Sequence, residues 1–213
     1  MESTSRSTVK RAPKRGVYDK ETIYKILDSD FLCHVGIIHN GYPVVIPTFY
    51  GRKDDFIYIH GASVSRLITE VEKGIDVCIS IASVQGIVLA RSAFNHSANY
   101  ESVVLFGKGE LVSDDEKEET LKIISDHIID GRWEEVREPS AKELKATKVI
   151  KIKIDEVSAK VRTGDPIDDK EDYNLDVWAG LIPIEKKLGK PITDSKLKPG
   201  IEISNSVIKK ISY

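Results

Sequence analysis

Residues 33–51 read CHVGIIHNGYPVVIPTFYG. Two β-rich runs flank Asn40-Gly41, a pair suited to the central positions of a type I′ turn, where both residues need positive φ. The stretch therefore predicts a tight antiparallel hairpin. Working outward, Asp54-Asp55 divides its second strand from FIYIHG at 56–61. IDVCISIAS at 75–83 reads as a further strand, and GIVLARS at 86–92 as another beyond Gln85-Gly86. ESVVLFGKGELV at 101–112 reads as a long strand, with Gly107 and Gly109 as bend or bulge points.

Helical signals are sparser. Asp19 can cap a helix whose apolar face is Ile23, Ile26 and Leu27. Ser113 and Glu116 suggest a capping box ahead of Leu121, Ile124 and Ile128, with Gly131 as the stop. Ser140 and Glu143 mark another short helix. KVIKIKIDEVSAKVR at 148–162 alternates charged and apolar residues and predicts one long half-exposed strand. VWAGLIPI at 177–184 predicts a last strand, and KKLGKPITDSKLKPG reads as a surface tail. Strands that do not alternate with helices disfavour a doubly wound parallel sheet. The fold class expected is mainly β, an antiparallel barrel with helices at its side. The expected organisation is a basic arm over 1–14, a barrel domain over 15–185 and a C-terminal tail over 186–213.

Composition narrows the function. The 213 residues carry 32 Lys+Arg against 34 Asp+Glu, a formal charge of −2, so the chain is not built as a whole to coat nucleic acid. Residues 1–15, the arm and the first residue after it, are basic through Arg6, Lys10, Arg11, Lys14 and Arg15 against Glu2. The arm could touch nucleic acid or anionic lipid, but it lacks an aromatic for base stacking, and a solvated terminus explains it more simply. Neither a membrane nor a nucleic acid is an expected partner. No secretory signal or spanning segment is expected, and Cys33 and Cys78 read as reduced core thiols in a cytoplasmic setting. His34 and His39 are not spaced as a zinc pair on a helix, so no metal is expected.

Two stretches could carry chemistry. YIHGASVSRLITEVEKG at 58–74 reads strand, glycine turn, helix, with Ser63 or a neighbour at the cap and Gly74 at the stop. Gly61 would let backbone approach a ligand; Ser63, Ser65, Arg66 and the first-turn N–H groups could cradle a phosphate. An ordinary Ser-capped helix with a solvated Arg is the plainer alternative. ARSAFNHSANYESVVLFG at 90–107 groups Asn95, His96, Ser97, Asn99 and Tyr100 before an apolar strand. It reads either as a ligand-lining loop or as a turn-rich connector. Trp178 could close a ring pocket or belong to the core. Phosphate-loop, dinucleotide and nucleophile-elbow patterns are missing.

Taken together, HVGIIHNGYPVVIPTFY, YIHGASVSR, ARSAFNHSANYESVVLFG, GRW at 131–133, SAKVRTGDP and VWAGLIP resemble the pyridoxamine 5′-phosphate oxidase-like, FMN-binding split β-barrel family. The likeness is strongest to its flavin-nucleotide-binding branch, related to nitroimidazole-resistance reductases. It implies a six-stranded antiparallel split β-barrel that forms a homodimer with FMN between subunits. It implies that Pro47, Thr48, Phe49 and Tyr50 run along the isoalloxazine edge. His60, Gly61 and Ala62 would pass beside the ring and ribityl chain, and Ser65 and Arg66 would hold the phosphate. Ser102 would reach the flavin from its polar side, His96, Asn99 and Tyr100 would be further cofactor contacts, and Trp178 would come from the partner subunit. FAD or a deazaflavin shares the same phosphate handle. Leu67 replaces the second basic residue of the true oxidases, and VWAGLIP lacks their Arg-rich substrate motif. The implied function is a flavin-dependent oxidoreductase acting on a small organic substrate, with Lys160 and Arg162 as candidate cations beside the reduced flavin. The alternative is a flavin carrier or haem-handling protein on the same barrel; His34, His39, His60 and His96 are available as ligands, but none sits in a recognisable haem motif, and His60 and His96 suit ring or substrate contacts better than metal ligation.

Overall fold

The structure, a computed structural model, describes residues 3–212. Met1 and Glu2 of the arm and Tyr213 of the tail lie outside the described residues. In chain order the elements are β1 (Gly16–Val17), α1 (Lys20–Asp28), β2 (Leu32–His39), β3 (Tyr42–Lys53), β4 (Phe56–Ala62), α2 (Arg66–Val71), β5 (Asp76–Leu89) and β6 (Ser97–Leu111). There follow α3 (Lys117–Ile128), α4 (Ala141–Ala146), β7 (Thr147–Lys153), β8 (Glu156–Arg162), β9 (Gly180–Pro183) and α5 (Asn205–Ile211). Hydrogen-bonded neighbours run β1-β8-β6-β7-β4-β3-β2-β5-β9, and β5 also pairs with β6, so β2, β3, β4, β7, β6 and β5 close a ring. This is the expected six-stranded antiparallel split barrel.

The contacts divide the chain into two units, each assembled from several segments. The first comprises Met1–Asp30, Cys78–Gly107 and Ile154–Lys186. In it, the Asp19 carboxylate accepts from the Thr22 N–H at 2.8 Å and starts α1. Ile23, Ile26 and Leu27 then fall on one face and are buried. Each contributes roughly 1.5–3 kcal/mol by leaving water. β8 pairs with β6 from Tyr100↔Arg162 to Phe106↔Glu156. Residues of the basic arm belong to this unit. Thr4 and Arg6 both bind the Glu156 carboxylate, and the Arg6 guanidinium lies 5.3 Å from the Phe106 ring centre.

The second unit comprises Phe31–Val77, Lys108–Lys153 and Lys187–Tyr213. Asn40 and Gly41 take φ of 50° and 80°, as the type I′ turn between β2 and β3 requires. β4 pairs with β3 on one side and with β7 on the other, where His60 faces Val149 and Ala62 faces Thr147. α3 packs on β3 so closely that a Cβ on Gly51 would stand 2.7 Å from the Ile124 Cα. Within the tail, α5 is tied down by Ser206, whose N–H donates to Glu135 at 3.0 Å, and by Lys209, which reaches Asp130 at 2.5 Å.

Four expectations differ from what forms. β5 continues straight through Gln85-Gly86 where two strands were expected. Gly86 serves close approach rather than a turn, since a Cβ there would meet Leu181 Cδ1 of β9 at 2.7 Å. The single strand expected over 148–162 breaks at Ile154-Asp155 into β7, which pairs with β4 and with Gly109–Leu111 of β6, and β8, which pairs with β1 and with Tyr100–Phe106 of β6. Ser113 does not cap α3; it binds the Glu116 side chain at 2.7 Å, and Glu116 is itself the N-cap. Ser140 and Glu143, by contrast, form the full capping box. No helix was expected in the tail, where α5 forms.

Candidate functional site

The expected site residues fall into two groups, one in each unit. In the second unit, β4 ends at Ala62 and the chain turns tightly. The Ser63 N–H donates to Ala146 O at 2.9 Å and the Ser65 N–H to Ala62 O at 2.8 Å. Ser65 is the N-cap of α2, yet its hydroxyl makes no capping bond. Arg66 is exposed and, among the described residues, holds no ion pair. Ser63, Ser65 and Arg66 thus present unspent donors at one turn. Gly61 has a structural reason of its own: a Cβ there would meet Ile68 Cγ1 at 3.0 Å and Ser65 Oγ at 3.2 Å, so its lack lets α2 pack against β4. Gly74, at φ 72°, follows the end of α2 as expected.

Along β3, Pro47 and Phe49 are exposed, Thr48 is half-buried and Tyr50 is fully buried. The Phe49 ring lies 5.8 Å from that of Phe31. Tyr50 is a core residue, its ring 4.9 Å from His127, and its N–H is spent on Phe31 O at 3.2 Å.

His60 points to different chemistry. It lines a cavity of about 560 Å³, walled by Leu121, Ile124, Ser125 and Ile128 of α3, by Trp133, Arg137 and Pro139, and by Glu143, Leu144 and Thr147. Its Nδ1 is buried and has no hydrogen-bond partner among the described residues. Burial pushes its pKa below the ordinary histidine value, so the neutral imidazole is favoured. At the cavity's charged end, Arg137 donates two hydrogen bonds to Glu143, at 2.6 and 2.8 Å. Arg137, followed by the Ser140 N–H and hydroxyl, holds the Glu143 carboxyl far below the usual carboxylate range. His39 Nδ1 also lacks an aligned partner, but Glu70 Oε1 lies 3.2 Å away.

In the first unit the polar residues are mutually engaged. Asn99 is buried, donates to Gly164 O at 3.1 Å and accepts from Arg162. Arg162, only 7% exposed, also donates to Gly164 O and Asp165 O, each at 3.1 Å. Tyr100 is half-buried opposite Arg162. Ser102 donates to Lys160 O at 3.3 Å, and Nδ1 of the exposed His96 accepts from the Ala90 N–H at 3.1 Å. Trp178 is 66% exposed, with Gly180 against its indole.

Sequence reasoning missed Trp133, Arg137 and Glu143 as cavity residues. The GRW mark at 131–133 was the available signal for the first of them. It also missed Asp168, whose fully buried carboxylate accepts from the Arg91 N–H at 2.8 Å, the Arg91 side chain at 3.1 Å and the Ser92 N–H at 3.3 Å. No group of three or more His, Cys, Asp or Glu placed to hold a metal ion occurs among the described residues, and none of their helices is long and apolar enough to cross a membrane.

The sequence pattern of one family, described as pyridoxamine 5′-phosphate oxidase, matches residues 19–161. The chain belongs to this family. Among solved structures, the flavocytochrome Anf3 of Azotobacter vinelandii is 42% identical, with a TM-score of 0.93 over 97% of this chain and 96% of that one. The FAD and haem binding protein of Mycobacterium smegmatis is 33% identical, with a TM-score of 0.89 over 92% of this chain and 96% of that one. A proposed 5-nitroimidazole antibiotic resistance protein of Bacteroides thetaiotaomicron is 26% identical, with a TM-score of 0.58 over 80% and 90%. No curated protein sequence matches this member of the oxidase family.

Proposed function

We propose that this chain is an oxidoreductase that binds both a flavin and a haem. The observation that carries the reading is His60, a neutral imidazole with an unpartnered buried nitrogen, set in the wall of a cavity of about 560 Å³. That volume lies within the range of cofactor sites, roughly 300–1,000 Å³. Leu121, Ile124, Ile128, Trp133 and Leu144 make the wall mostly apolar. Neutral imidazole is the ligating form of histidine, and an apolar wall with one nitrogen ligand suits a porphyrin. The likeness to two proteins named for a flavocytochrome and for FAD and haem binding supports the same reading. It departs from the expectation that His60 lies beside the flavin ring.

For the flavin, Ser65 and Arg66 remain the proposed phosphate contacts, since both keep donors free. The name of the mycobacterial relative favours FAD over the FMN expected from the motifs. When bound, a flavin accepts electrons in pairs and a haem passes them singly. His60 would hold the iron in place, the α3 wall would keep water out, and Arg66 would fix the flavin's anionic tail. A small organic reductant or substrate is the proposed reaction partner. The proposed assembly is a homodimer, supported by the exposed apolar run Leu175, Val177, Trp178, Leu181 and Ile182 in the first unit.

The test is the spectrum and released cofactors of the purified protein. The expected result is a Soret band together with flavin absorbance, with FAD identified by mass, from a species twice the subunit size. A colourless protein that takes up neither added flavin nor haemin would overturn the proposal.

A further inference from the structure

The cavity at His60 has a charged end that the iron-ligand argument does not use. Among the described residues lining it, Arg137 and Glu143 are the two full charges. They form a two-pronged pair, Arg137 Nη2 to Glu143 Oε1 at 2.6 Å and Nη1 to Oε2 at 2.8 Å. Arg137 also donates to Glu138 O at 2.9 Å. Glu143 is anchored from its own helix, since Oε2 accepts from the Ser140 N–H at 2.8 Å and the Ser140 hydroxyl at 2.9 Å. Glu143 therefore has a place as the third residue of α4 whether or not Arg137 stays with it. Among the described residues, Glu143 is the one carboxylate in an ion pair with Arg137.

From this we infer that Arg137 is the carboxylate anchor of the cavity and Glu143 its built-in competitor. A ligand entering with its own carboxylates would take the guanidinium fork from Glu143, which stays seated in the capping box. The inference rests on the haem reading, because a haem is the cavity ligand that brings two propionate carboxylates. A planar guanidinium matches a carboxylate with two parallel hydrogen bonds, which gives orientation as well as affinity. The pair is open to solvent, so the exchange swaps one exposed ion pair for another and costs little. Arg137 acts here as a positioning and specificity residue.

The experiment compares haemin with haemin dimethyl ester, which has the same ring and iron but no carboxylates. Each is titrated into the full-length protein and followed by the Soret band. Wild type is expected to prefer haemin by about ten-fold or more. Arg137→Gln is expected to lose that preference while keeping its Soret position, which reports an unchanged iron ligand. Glu143→Gln retains a side chain that serves the capping box, and it should bind haemin about two- to five-fold more tightly than wild type. If Arg137→Gln keeps the wild-type preference, the anchor assignment is wrong although the haem reading stands. If wild type binds neither porphyrin, the haem reading falls and the anchor with it. Far-UV circular dichroism and thermal melting verify that both variants fold.

Discussion

Two polar regions of this molecule contrast. In the first unit, the clamp around Arg162 and Asp168 is spent. Arg162 donates to Asn99, Gly164 O and Asp165 O, and Asp168 accepts from Arg91 and Ser92. The Arg91 guanidinium also lies 5.0 Å from the Tyr173 ring centre. In the second unit, His60 Nδ1 has no partner among the described residues, and Ser65 and Arg66 hold donors in reserve. Both regions are rich in residues that carry chemistry elsewhere. The difference is satisfaction. A buried polar group with all its bonds made is architecture, whereas one left unpaired costs free energy unless something arrives to meet it.

The sharpest way to break the contrast is to damage the clamp. Arg162→Ala orphans three acceptors, Asn99 Oδ1 and the carbonyls of Gly164 and Asp165, and should cost about 2–4 kcal/mol of stability in urea unfolding. A loss below about 0.5 kcal/mol would mean the clamp is not structural. Arg66→Ala should do the reverse, leaving stability alone and weakening flavin binding by about 1.5–3 kcal/mol in equilibrium titration. Unchanged flavin affinity would remove Arg66 from the site.

Acidification should weaken both regions, and separate them by range. Burial favours protonation of Asp168, but the Arg91 guanidinium and the N–H groups of Arg91 and Ser92 outweigh it and hold its pKa below the ordinary value. Its contribution is therefore present above the unfolded carboxylate pKa, about 3.9, and lost as pH falls through the lower folded value. Asp168→Asn should flatten that acid limb of the unfolding curve. His60, pushed down by burial, contributes stability above the unfolded imidazole pKa, about 6.5, that is lost as pH falls through its folded value. Haemin affinity should drop over the same range in wild type, because protonated imidazole does not ligate. The smallest effects concern two serines. Ser140→Ala breaks a capping box and should cost about 1 kcal/mol, while Ser65→Ala, with no capping bond to lose, should stay within about 0.5 kcal/mol.

Much of the fold was legible because its signals are local. Asn40-Gly41, the Asp19 cap and the short helix marked by Ser140 and Glu143 each act within a few residues, and each formed as read. Gly86 misled because a glycine that admits a neighbouring strand looks, in sequence, like one that turns the chain. The split of 148–162 sets β7 and β8 against two separate stretches of β6, and alternation of charged and apolar residues does not encode where that break falls. The serine–arginine turn was legible as a motif. The cavity was not, because Leu121, Ile124 and Ile128 repeat with the same period whether they face a packed core or an open space. Arg162 is in sequence either a candidate flavin cation or, more simply, part of a solvated strand face, and its partners at Gly164 and Asp165 are loop carbonyls that spacing alone does not reveal.

The central claim is that an unpaired imidazole in an apolar cavity marks the place of a porphyrin. It is tested most directly by titrating haemin into wild type and His60→Ala at neutral pH, with bound flavin monitored in the same samples. Wild type is expected to bind one haemin per chain with a sharp Soret shift, and the variant to lose that shift with flavin retained. Identical titrations of the two proteins would contradict it.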